Sequence, residues 1–309
     1  MKKIFLVLSA VVMTAISVSA QDLATATETF NNGAMELQMG NMEAALTNFQ
    51  SALEMAEALG EQGAEIATNC KGAIPQVMFS IAKGLIKDEN YEGALAQLDA
   101  TIAAANKYES ADVAAEAAEF IPQVYMQQGN TALKAKDMAT AVAAYTKVIE
   151  LEPANGNAML RLGQVYAATG KVDEAVAAFE QAAANGQEKT ANKQLSTLFL
   201  KKAQAAVKAK KFQEAVDFAA KSNSYIESAN AYRMAASAYQ QLNNAAECIA
   251  SYEKYLELTP NAKDANGVKY TIAALAQTAG DKEKAKAYYQ QIVTDPQYGA
   301  TAQQMLQSL

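Results

Sequence analysis

Apolar residues recur at helical spacing along most of the chain. Between positions 172 and 183 they follow the i, i+3, i+4, i+7 pattern of a helix with one buried face, at Val172, Ala175, Val176, Phe179, Ala182 and Ala183. No convincing segment shows the alternation of apolar and polar residues that a strand requires. Only five prolines interrupt a chain rich in alanine, the strongest helix former. The pattern therefore predicts an all-α protein.

Short polar segments separate these helical stretches. They are Gly40-Asn41, Lys87-Asp88-Glu89-Asn90, Thr169-Gly170, Asn243-Asn244 and Gly280-Asp281. Such breakers predict helices joined by short turns. Two longer stretches, 65–87 and 111–136, are predicted to be long helices, each kinked or restarted at its internal Pro75 or Pro122.

One helix-turn-helix segment is repeated. Residues 129–153 read GNTALKAKDMATAVAAYTKVIELEP, and 34 residues after Gly129 a similar segment begins at Gly163 with GQVYAATGKVDEAVAAFEQ. A third copy, CIASYEKYLELTP, occupies 248–260. A fixed period of this length indicates a stack of helical hairpins, because one hairpin cannot bury its apolar face alone.

These segments resemble the tetratricopeptide repeat family. The residues that carry the resemblance are Gly163, Tyr166, Ala175 and Phe179 in one copy, and Gly129, Ala141, Tyr145 and Pro153 in the copy before it. Weaker copies place the small residue of the second helix at Ala45, Ala94, Ala215, Cys248 and Ala285. The resemblance implies a right-handed α-solenoid of about seven hairpins.

The marker spacing is longer in the first part of the chain. We therefore predict elongated hairpins in 21–121, near-standard repeats in 122–299 and a short terminal cap in 300–309.

The N-terminus is typical of a secretory signal peptide. Lys2-Lys3 precede an apolar run at 4–16, and small residues follow up to Ala20. The run is shorter than the roughly 20 residues of a membrane-spanning helix. We predict cleavage after Ala20, with a retained membrane anchor as the alternative. No cysteine follows the run for lipoprotein acylation, so we expect a periplasmic or secreted protein without membrane insertion.

Composition disfavours several classes of function. The chain has no histidine, so histidine-based triads and imidazole metal sites are impossible. It contains neither G-x-x-x-x-G-K nor G-x-G-x-x-G after a strand. Loss of Lys2 and Lys3 would take the net charge from −7 to −9, which disfavours nucleic acid as a partner. We therefore predict a non-enzymatic protein without catalytic residues, metal or cofactor.

Two cysteines, Cys70 and Cys248, leave alternatives open. A disulfide between them would need Cα atoms within roughly 7 Å, and they lie about four repeats apart. Cys248 stands where the repeat requires a small buried residue. Cys70 is either buried or a surface thiol available for an intermolecular disulfide.

The resemblance also implies a partner-binding groove lined by the first helices of the hairpins. The matching positions are Met126, Asn130, Lys134, Leu160, Arg161, Gln164, Leu200, Lys201, Gln204, Lys208, Arg233 and Ser237. Met126 stands where family members that clamp a C-terminal carboxylate have lysine, which disfavours that clamp. Arg161 and Arg233, the only arginines, are either anchors for carboxylates of a partner or ordinary surface residues.

The function expected from these residues is a scaffold that holds a segment of a partner protein or peptide in the groove. A structural subunit of an envelope assembly is the alternative. Capture of glycans, as by the SusD-like proteins that also contain these repeats, is a distant third, since this chain lacks tryptophan and a lipidation cysteine.

Overall fold

A computed structural model describes residues 18–309, with side chains from Ala20 onward. The predicted signal peptide, 1–20, lies outside the described residues except for its last three, which begin the first helix. The described chain is all-α, as predicted, and contains no strand. It divides into two compact units, one ending at Pro153 and one beginning at Ala154.

The first unit consists of three helical hairpins. Their helices are α1 (Val18–Met39), α2 (Met42–Ala58), α3 (Ala64–Lys87), α4 (Tyr91–Lys107), α5 (Ala111–Lys134) and α6 (Met138–Leu151). Each pair packs side by side, and α3 also contacts α1 and α5. The apolar core runs between the helices, with Phe49, Ile74 and Leu98 among its fully buried side chains.

The second unit contains four hairpins and a terminal helix. Its helices are α7 (Gly156–Ala168), α8 (Val172–Ala182), α9 (Glu188–Lys208), α10 (Phe212–Tyr225), α11 (Ala229–Gln241), α12 (Ala245–Leu258), α13 (Ala265–Thr278), α14 (Lys282–Gln290) and α15 (Gly299–Ser308). Helix α15 occupies the predicted terminal cap and packs against α14. The described residues therefore form seven hairpins, which confirms the prediction of about seven.

The turns within the seven hairpins share one backbone geometry. Each contains one residue with positive φ, at Gly40, Glu89, Lys136, Gly170, Lys210, Asn243 and Gly280. The next residue donates its N–H to a carbonyl five positions earlier, as Asn41 does to Glu36 at 2.9 Å. This is the Schellman ending of a helix, which satisfies carbonyls that have no partner in the last turn. It lets the second helix begin immediately afterwards.

Small residues allow the two helices of a hairpin to approach closely. A Cβ added to Gly129 would lie 2.6 Å from the ring of Tyr145, and one added to Gly163 would lie 2.6 Å from the ring of Phe179. Both rings are almost fully buried. All five small residues of the weaker copies are also buried: Ala45, Ala94, Ala215, Cys248 and Ala285.

The two prolines do not restart their helices. Pro75 lies inside α3 and Pro122 inside α5, and both helices continue without interruption. Each proline removes one backbone donor, but buried neighbours such as Ile74 and Val124 hold the flanking turns against the core. The predicted boundary between 121 and 122 therefore falls within α5, whereas the compact units divide after Pro153.

Candidate functional site

The predicted groove residues all lie on first helices of hairpins. Three are on α5, three on α7, four on α9 and two on α11. Within the second unit α9 contacts both α7 and α11. We call the exposed sides of the first helices within each unit its first-helix surface.

In the first unit, one predicted residue is engaged within its own hairpin. Asn130 accepts a hydrogen bond at 3.0 Å from the hydroxyl of Tyr145, which is buried. Met126 on the same helix is half-buried and Lys134 is exposed. Asn130 therefore links α5 to α6, and its carbonyl oxygen is not free for a partner.

The sequence did not predict an aromatic cluster that α3 and α5 form together. The ammonium of Lys83 lies 3.6 Å from the ring centroid of Phe79 and 5.0 Å from that of Phe120. The two rings meet edge to face at 5.1 Å, and Glu116 lies 3.5 Å from the ammonium. Residues on neighbouring first helices come together only in the tertiary structure, so helical periodicity alone does not identify such a cluster.

On α7 the predicted residues differ in exposure. Leu160 is only 8% exposed, so it packs in the core and offers little surface to a partner. Arg161 beside it is exposed, donates to Gln164 at 3.3 Å, and forms no ion pair within the described residues. Its charge is therefore available to a carboxylate.

A cavity of about 250 Å³ opens between α9 and α11. Its lining residues are Gln204, Val207, Asn230, Arg233, Met234 and Ser237. Three of these, Gln204, Arg233 and Ser237, were predicted from the sequence. The other three lie one helical turn or less from predicted positions, so the same helical spacing carried a signal for them.

Arg233 is held by groups outside the cavity. Its guanidinium lies 2.8 Å from a carboxylate oxygen of Asp264 and 5.7 Å from the ring centroid of Tyr255. The Tyr255 hydroxyl donates to the same carboxylate at 2.6 Å. Burial, together with the carboxylate of Asp264, raises the pKa of Tyr255. Arg233 is therefore oriented and partly neutralised, which makes it a weaker anchor than Arg161.

The remaining predicted residues are all on α9. Leu200 is half-buried, whereas Lys201, Gln204 and Lys208 are exposed. This helix therefore presents amide and ammonium groups beside the cavity.

Both cysteines are free and fully buried. Burial raises the pKa of Cys70 to about 12 and that of Cys248 to about 11. The interpretation of Cys70 as a surface thiol is wrong, because its position on α3 faces the core, where it packs with Ala67 and Ile74. Cys248 is the small buried residue that the repeat requires.

Within 18–309, no three or more acidic or cysteine side chains are grouped so as to hold a metal ion. No helix in that range is long and apolar enough to cross a membrane.

Family models for the tetratricopeptide repeat match three segments of the chain. They cover residues 126–189, 229–262 and 270–297. The second segment coincides with hairpin α11/α12, whereas the other two begin within α5 and α13. The chain therefore contains tetratricopeptide repeats in these three segments. Repeats of this kind indicate a protein-interaction scaffold, and proteins built from them are generally non-catalytic.

Several solved structures are similar to this chain at low sequence identity. A crystal structure of MamA protein is 19% identical, with 59% of this chain and 96% of that chain covered and a TM-score of 0.35. A structure of MamA AMB-1 is 22% identical, with 56% and 90% covered and a TM-score of 0.35. A structure of pilF of Pseudomonas aeruginosa is 18% identical, with 60% and 81% covered and a TM-score of 0.29. Scores this low support no conclusion about binding. No curated protein matches the chain.

Proposed function

We infer that this repeat protein is a non-enzymatic scaffold that holds a segment of a partner protein on the first-helix surface of its second unit. The cavity between α9 and α11 carries this proposal, because Gln204, Arg233 and Ser237 meet there from two different hairpins. The family resemblance independently assigned these three residues to the binding groove.

The chemistry of the cavity suits a peptide. Amide, hydroxyl and guanidinium groups lie beside the apolar side chains of Val207 and Met234. A volume of about 250 Å³ falls below the roughly 300–1,000 Å³ of small-molecule pockets. It suits one side chain of a longer segment whose backbone amides bond to the polar lining. Arg161 on α7 adds a charge that can fix the register of the segment.

Residues 1–20 support a location in the bacterial periplasm or outside the cell, since they have the charge and apolar pattern of a signal peptide. The net charge of −7 supports a protein partner over nucleic acid.

Site-specific photocrosslinking tests the proposal. A photoreactive residue at Ser237 on α11 lies at the cavity, and one at Ala250 is exposed on α12 of the same hairpin. We expect a partner from envelope extract to crosslink from Ser237 and not from Ala250. In addition, Gln204→Ala should weaken the Ser237 crosslink, whereas Gln213→Ala on α10 should leave it unchanged.

Crosslinks from Ala250 alone would overturn the groove proposal. They would favour the alternative, a structural subunit that uses its second helices. Equal crosslinking from both positions would also count against the proposal, because it would show contact without preference for the first-helix surface.

A further inference from the structure

Charge is distributed very unevenly in this acidic protein. The hairpin α9/α10, Glu188–Tyr225, contains eight lysines and three acidic residues, although the chain as a whole has a net charge of −7. By contrast, residues 20–70 contain eight acidic residues and no lysine or arginine. The family models leave most of α9/α10 and all of α1/α2 unmatched. The two most strongly charged hairpins therefore lie largely outside the segments that the family models match.

The lysines of α9 form a row on one side of the helix. Lys193, Lys201 and Lys208 are exposed, and helical spacing places them within about 80° of one another. The opposite side of α9 buries Leu195 and Phe199. None of the three lysines forms an ion pair within residues 18–309. At a rise of about 1.5 Å per residue, the row has intervals of about 12 and 10.5 Å.

Two acidic residues of α1 form a matching row. Glu28 is exposed and Glu36 is half-buried, and they lie about 12 Å apart along the helix and within about 80° of each other around it. This spacing equals that of Lys193 and Lys201. On this side of α1, Met35 is 52% exposed and Met39 is 58% exposed. The other side of α1 packs Ala26 and Ala34 into the core.

We propose that α1 of one copy of the protein packs antiparallel along α9 of a second copy. In this register Glu28 meets Lys201 and Glu36 meets Lys193. The aliphatic parts of the lysine side chains cover the exposed methionines of α1, because lysine places its stem on apolar surface while its ammonium stays in water.

The contact joins two different surfaces, so it is head-to-tail and extends into a chain or closes into a ring. The contact deepens the proposed function, because it names a second copy of the protein as a binding partner on part of the first-helix surface. It rests on the proposed function only in that both use this surface.

At 0.15 M salt the Debye length is about 8 Å. The repulsion between two negatively charged copies is then largely screened, whereas close ion pairs persist.

A charge exchange tests the contact in the purified protein. Sedimentation velocity should show assemblies larger than monomers that grow with concentration in 50 mM salt and weaken at least tenfold in 500 mM salt. The variant K193E/K201E should be monomeric, because its α9 repels α1. The variant E28K/E36K should be monomeric for the converse reason. An equimolar mixture of the two should assemble again, since each then offers the other a complementary pair.

K210E/K221E is the matched control. It makes the same change in net charge on the same hairpin, at the α9/α10 turn and on α10, outside the two ion pairs of the contact, and should leave the assembly unchanged. Circular dichroism checks that all variants remain helical. A monomeric wild-type protein at about 100 µM in 50 mM salt would overturn the inference. So would assembly that both row variants retain, or a mixture of the two that stays monomeric.

The two proposals fail separately. A monomeric wild-type protein that still crosslinks a partner from Ser237 would remove only the contact between copies. Assembly restored by charge exchange, with no partner crosslinked from Ser237, would remove only the scaffold proposal.

Discussion

At the scale of single residues, the packing of hairpin α7/α8 depends on a small residue opposite the aromatic ring of its second helix. Gly163 contacts the ring of Phe179 so closely that one added methyl group would overlap it. Both helices are fixed by further buried contacts, such as those of Ala175, so neither can move away freely. The glycine is therefore required by packing and not by backbone conformation.

We predict that Gly163→Ala lowers the free energy of unfolding by about 1–3 kcal/mol, the usual cost of overpacking. Gly84→Ala is the matched control, since it also lies within a helix and its added methyl group would meet open space. That change should raise stability by about 0.5–1 kcal/mol, because alanine favours the helix. Urea denaturation measures both. Equal stability of the two variants would contradict this account of the hairpin.

Contacts between residues that are distant in the sequence could not be predicted from it. The family resemblance alone implied that Gln204, Arg233 and Ser237 lie on one surface. The ion pair of Arg233 with Asp264 did not, because nothing in either sequence segment indicates that they meet. The burial of Leu160 was not evident for a similar reason: the family resemblance assigned its position to the groove, but the burial of a side chain depends on the neighbouring helices.

At the scale of helices and turns, the sequence indicated where most helices end but not the backbone conformation of the turns between them. The turns at Gly40, Gly170 and Gly280 were evident because glycine readily adopts positive φ. Lys136 and Lys210 adopt the same conformation, with φ of 62° and 59°, although a lysine gives no such signal. Because the Schellman hydrogen bonds require it, the local conformation is imposed by the adjoining helices.

We predict that Lys210→Gly stabilises the protein. The left-handed conformation costs an ordinary residue roughly 1–2 kcal/mol, and the greater freedom of glycine in the unfolded chain offsets about 0.5–1 kcal/mol. A net gain of about 0.5–1 kcal/mol is therefore expected in urea denaturation. Gly170→Ala, the reverse change in an equivalent turn, should cost about as much. A loss of stability in Lys210→Gly would show that contacts of the lysine side chain stabilise the protein by more than the left-handed backbone conformation costs.

At the scale of the whole molecule, a hairpin stack predicts that perturbations stay local. Each hairpin contacts mainly its neighbours, so stability is close to a sum of local terms. The terminal helix α15 offers a test, because Ala302 is fully buried against the core of α13 and α14. Gln304 on the same helix is exposed.

We predict that Ala302→Asp detaches α15, because an unpaired buried charge costs about 3–5 kcal/mol. Hydrogen exchange should then become at least tenfold faster in α13 and α14, which lose their cover, while α1 to α6 keep their protection. Gln304→Asp introduces the same charge at an exposed position and should change neither. Faster exchange throughout α1 to α6 in Ala302→Asp would contradict local stability, since it would mean that the first unit unfolds together with the end of the second. Unchanged exchange in α13 and α14 would show instead that α15 is not needed to cover them.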